Sequence, residues 1–78
     1  MPKYTIRYRC GDQRGRLALI VADGSGDAYL FSGGGLQARL PGHDAGARMA
    51  QILERRVACT PVPEVAPYTL DGLRYLTT

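Results

Sequence analysis

Residues 4–10, Tyr4-Thr5-Ile6-Arg7-Tyr8-Arg9-Cys10, alternate apolar and polar side chains at a period of two. That period predicts a half-buried strand, with Tyr4, Ile6, Tyr8 and Cys10 on one side and Thr5, Arg7 and Arg9 on the other. Gly11-Asp12-Gln13-Arg14-Gly15 supplies the turn residues of a longer hairpin loop. Residues 16–22 are apolar on both faces after Arg16, as in a central strand: Leu17, Leu19 and Val21 form one row, and Ala18, Ile20 and Ala22 the other. A turn at 23–27 and a third strand at 28–32 complete an antiparallel meander.

Gly33-Gly34-Gly35 interrupts that order, because three glycines are costly to hold in a ladder. Residues 36–40 alternate again and fit either a fourth strand or one helical turn, stopped by Pro41-Gly42. Asp44 stands where an N-cap is needed, although Ala47 leaves no capping box. An amphipathic helix is predicted over 45–56, with Ala45, Met49, Ile52, Leu53 and Arg56 along one side and Arg55 and Arg56 at its negative end. Pro61, Pro63 and Pro67 make residues 60–67 an extended connector over the surface; their spacing is not PxxP. Over 68–76, Asp71-Gly72 between β-rich arms predicts a hairpin, with a short helix from Leu70 as the alternative.

The expected fold class is a single small α+β domain over residues 1–78. It has an antiparallel sheet of three to five strands, an N-terminal meander and one amphipathic helix on one face, in the order β-β-β-(β)-α-β(-β). One helix covers one face, so the face bearing Thr5, Arg7 and Arg9 is expected to stay open to water or a partner.

Length and composition narrow the field. Seventy-eight residues suffice for one core. The longest apolar run, residues 17–22, is far short of the roughly 18 residues of a membrane helix. The opening residues lack the apolar stretch of a signal peptide, which predicts a cytoplasmic protein. Without an export signal, Cys10 and Cys59 are expected as reduced thiols rather than a bridge. There is no CxxC, no HxxxH and a single histidine, so neither a metal nor a small-molecule cofactor is expected.

The net charge of +3 is concentrated in residues 1–39, which carry six basic side chains against three acids, whereas residues 40–78 carry four of each. Nine of the ten cations are arginine and asparagine is absent, the bias of GC-rich codons, which points to a bacterial or phage source. Lys3, Arg7, Arg9 and Arg16 form a candidate basic strand face. They would neutralise phosphates in a nucleic-acid module, meet an acidic protein surface, or simply keep the strand solvated. Base-stacking modules also need exposed aromatics, and with Tyr4 and Tyr8 turned inward only Tyr29 and Tyr75 remain. The glycine clusters do not make a phosphate loop, since the only lysine is Lys3. The one arrangement available for nucleophilic chemistry is Cys10 or Cys59 with His43 and Asp44, and Asp44 and Cys10 are better accounted for as cap and core. The expected function is therefore that of a non-enzymatic accessory or regulatory protein. It would act on a protein partner, or on its own copy, through an exposed sheet face or edge; the alternative is nucleic-acid binding.

Overall fold

The computed structural model describes residues 3–11, 14–63 and 65–78. Met1, Pro2, Asp12 and Gln13 of the first loop, and Glu64 of the proline segment, lie outside the described residues. The chain runs β1 (Tyr4–Gly11), β2 (Leu17–Ala22), β3 (Ala28–Ser32), β4 (Gly35–Leu40), α1 (Ala45–Leu53), β5 (Cys59–Pro61), β6 (Pro67–Tyr68) and α2 (Leu70–Leu76). The strands form one antiparallel sheet in the order β4-β3-β2-β1-β5, with β6 also paired to β1. The α+β class and the N-terminal meander are as predicted; the structure adds a second helix.

β2 is the predicted central strand, buried at Ala18, Leu19, Ile20 and Val21. Its two rows feed two cores on opposite sides of the sheet. On one side Ala45, Met49 and Ala50 of α1 pack on Cys10, Ala18, Ile20 and Ala28. Alanines on both partners let helix and sheet approach closely. On the other side Leu73 of α2 packs among Ile6, Leu19, Val21 and Phe31, and the Tyr4 ring meets Tyr29 edge-on at 5.5 Å.

β1 departs from its simple alternation. Ile6 pairs with Val21 and Tyr8 with Ile20, so Arg7 is an extra residue, a β-bulge. One extra residue reverses every side chain beyond it. Tyr4 and Ile6 therefore face the Leu73 core while Tyr8 and Cys10 face α1. The expectation that all four share one side is corrected.

Residues 36–40 are strand, joined to β3 by Gly33 and Gly34, whose φ values of 63° and 82° match the two central positions of a type I′ turn. The hairpin predicted at Asp71-Gly72 is instead the first turn of α2. Thr69 is extended and its hydroxyl accepts from the Gly72 N–H at 3.1 Å, which caps the helix, and Asp71 lies in the positive first turn.

α1 is shorter than predicted, ending at Leu53, so Arg55 and Arg56 lie beyond its last turn. Ile52, expected on the buried stripe, is exposed. Asp44 occupies the N-cap position, but its left-handed backbone (φ 57°) departs from the extended N-cap conformation and its side chain caps nothing. The proline segment is not a free connector. Cys59–Pro61 and Pro67–Tyr68 pair with Tyr8–Cys10 and Tyr4–Thr5 and line the outer edge of β1, where prolines cost no ladder bond on the solvent side.

That pairing also sets Cys10 directly opposite Cys59, and the two are bonded as a disulfide. The expectation of free thiols is corrected: distance in sequence is erased by the antiparallel register, which brings the two Cα atoms to 4.1 Å. No helix among the described residues is long and apolar enough to cross a membrane.

Candidate interaction surface

α2 is too short to hold itself in water, so tertiary contacts must fix it. Leu73 is its anchor, fully buried in the sheet core. At its C-terminal end the Thr77 hydroxyl donates to the Leu73 carbonyl at 2.9 Å and the Thr78 hydroxyl to the Arg74 carbonyl at 2.6 Å. This end rests on the β3–β4 turn. A Cβ on Gly34 would lie 3.4 Å from Thr78 Oγ1 and 3.8 Å from the Arg74 carbonyl, so glycine serves both the positive φ and the close approach.

Leu73 turned inward leaves Leu70, Tyr75 and Leu76 with exposures of 37%, 82% and 43%. Leu36 of β4, 53% exposed, pairs with Phe31 and so lies on the same side of the sheet. Four of the six large hydrophobic side chains exposed among the described residues thus belong to one side of the molecule; Ile52 and Val65 are the others. Arg74 and Arg9 stand on this side as well, Arg9 through its pairing with Leu19. The apolar members of this surface are not evident from the sequence, because Asp71-Gly72 predicts a hairpin where α2 forms. Thr69 followed by Leu70, Leu73 and Leu76 at intervals of three was the available signal.

The four cations of the predicted basic face are not brought together. Arg9 lies on the α2 side. Arg7, at the bulge, lies by the start of α1, where its Cβ and Cγ are 3.8 Å from the position a Cβ on Gly46 would take. Lys3 precedes β1 and Arg16 precedes Leu17, the partner of Gly11, so the two stand at opposite ends of an eight-residue strand. Of the two tyrosines left for stacking, Tyr75 is open, whereas the Tyr29 ring lies between Tyr4 and the Arg39 guanidinium, 5.8 Å from its centre.

Tyr29 and Arg39 are fixed by two aspartates. Asp23 accepts from the Ser25 hydroxyl at 2.6 Å, the Ser25 and Asp27 amides at 2.9 and 3.2 Å, and the Tyr29 hydroxyl at 2.8 Å. Asp27 accepts from the Gly42 amide at 3.0 Å and from Arg39 at 2.7 Å. Both carboxyls are held below the ordinary carboxylate value, Asp23 chiefly by the Ser25 hydroxyl and Asp27 chiefly by the Gly42 amide and then Arg39. The Tyr29 phenol is raised because it donates to Asp23, and burial adds to this. A depressed carboxyl contributes stability that is complete above about pH 4 and is lost as pH falls through its folded value. Melting temperature should therefore fall on acidification below about pH 4, and Asp23→Asn should flatten part of that fall in a series of thermal melts. Identical pH profiles for the variant and the parent chain would show that Asp23 adds nothing to acid stability.

Cys10 and Cys59 are bonded to each other, so neither offers a thiolate; His43 and Asp44 face each other at 3.7 Å in open solvent. No three histidine, cysteine, aspartate or glutamate side chains cluster as metal ligands among the described residues. Comparison with known protein families, with curated proteins and with solved structures returns no match.

Proposed function

We propose that this chain is a small non-enzymatic accessory protein that docks onto a partner protein through the side of its sheet that carries α2. The observation behind this reading is the gathering of Leu36, Leu70, Tyr75 and Leu76 on that side. Large apolar side chains grouped on a small domain mark an interaction surface more often than scattered ones do. Arg9 and Arg74 on the same side, against the single acid Asp71 of α2, favour a partner whose surface is acidic around an apolar centre.

The test is capture of partners from the source cells with and without nuclease, using the parent chain, Leu36→Glu/Tyr75→Glu, and Ile52→Glu as a control on the α1 side. The double variant should lose the partner while its melting temperature stays within a few degrees of the parent, since both side chains are exposed; Ile52→Glu should retain the partner. If both variants capture alike, the α2 side is not the docking surface. Capture that disappears on nuclease treatment would move the function to nucleic acid and to Lys3, Arg7, Arg9 and Arg16.

A further inference from the structure

Between α2 and the strap formed by β5 and β6 the sheet leaves a cavity of about 200 Å³, lined by Ile6, Leu17, Leu19, Val62, Leu76, Tyr68 and Arg9. Five of these seven side chains are aliphatic. Arg9 is the one charged group, and neither Arg9 nor the Tyr68 hydroxyl has a hydrogen bond or ion pair among the described residues. An apolar hollow with a few unengaged polar groups is the ordinary composition of a small-molecule site. Its walls are fixed by the rest of the fold: Ile6 and Leu19 belong to the buried core, and Val62 is tied to the sheet by its amide, which donates to the Arg7 carbonyl at 2.9 Å.

The geometry points to this cavity as a binding site for a small apolar monocarboxylate. An apolar cavity of roughly 150 Å³ holds benzene, so this one takes a ligand of about eight to ten non-hydrogen atoms. The aliphatic wall selects an alkyl or aryl body. A guanidinium meets a carboxylate through two parallel N–H···O bonds, and a tyrosine hydroxyl supplies a further donor. One arginine matches a single negative charge, whereas a phosphate monoester would bring nearly two. The cavity shares Leu76 and Arg9 with the docking surface proposed above, but ligand binding is read on the isolated chain, so either proposal can fail without the other.

Hexanoate and benzoate are the probes, each against its uncharged amide, titrated into the intact protein and followed by methyl and amide NMR. The methyl signals of Ile6, Leu19, Val62 and Leu76 should shift, and each carboxylate should bind about tenfold or more tightly than its amide. Arg9→Gln, at an exposed position, should keep the melting temperature and remove that preference. Leu76→Trp should fill the space and abolish the shifts for acid and amide together. The assignment is overturned by an absence of shifts at these methyls, by equal affinity for acid and amide, or by an unchanged carboxylate affinity in either variant.

Discussion

Reduction of the Cys10–Cys59 bridge should lower the melting temperature by about 15–30 °C. The bridge joins residues 49 apart in sequence. By chain-entropy arithmetic, closing a loop of that length removes roughly 4 kcal/mol of freedom from the unfolded ensemble. For a domain of this size each kcal/mol is worth about 4–8 °C, and the whole stability expected is only about 4–12 kcal/mol. The reduced chain should therefore be close to its unfolding threshold at ordinary temperature. The bridge also holds β5 against β1 and, through it, the strap that walls the cavity. Thermal melts by circular dichroism with and without reductant, with thiol labelling to establish full reduction, give the answer; Cys10→Ala/Cys59→Ala should behave as the reduced chain does. A shift of only a few degrees in both would mean that the sheet is held without the bridge.

Leu73→Ala should cost about 2–5 kcal/mol, the usual range for truncating a leucine that collapse cannot replace. Leu73 is the one fully buried side chain of the seven-residue helix, and the hydroxyl bonds at its two ends are local to the helix and do not tie it to the sheet. Without its anchor such a helix has no reason to persist, because nucleation is unfavourable and so short a run is unstable in water. Two readouts follow. The urea midpoint should fall, and the amides of residues 73–77 should exchange with solvent far faster than those of β2 under native conditions. The proposed docking surface goes with the helix, so on that proposal partner capture should fail even at temperatures where the sheet is intact. Protection of the α2 amides equal to that of β2 in Leu73→Ala would show that the helix is fixed by something other than Leu73.

β2 was legible because a run buried on both faces needs no partner to be identified, and the two predicted rows are the two observed cores. β1 was legible as a strand but not as one that changes sides. A bulge is one added residue, and Arg7 continues the alternation in sequence while breaking it in space. That one residue divides the arginines expected to share a face. The two glycine turns were misassigned for a related reason. Asp71-Gly72 satisfies the hairpin rule in isolation, but Thr69 supplies a cap and Leu73 a buried anchor, and the sum of those favours a helix. Gly33-Gly34, an interruption by composition, is the tight turn itself, since only glycine adopts left-handed φ twice in succession at little cost. The disulfide was out of reach because it follows from the pairing of β5 with β1, a contact between distant parts of the chain that period and composition do not encode.

The proline strap makes the two borders of the sheet chemically unequal. Beyond β5 and β6, Pro61 and Pro67 have no N–H to give, and the segments are three and two residues long. At the opposite border β4 runs for six residues with no strand outside it among the described residues. Strand-by-strand addition needs two receptive borders on every copy if it is to continue, and the short strap border, with two of its five N–H groups missing, is the weaker of the two. Pairing between copies through the ladder is thereby favoured at β4, like border to like border about a two-fold axis, an arrangement that closes at the pair.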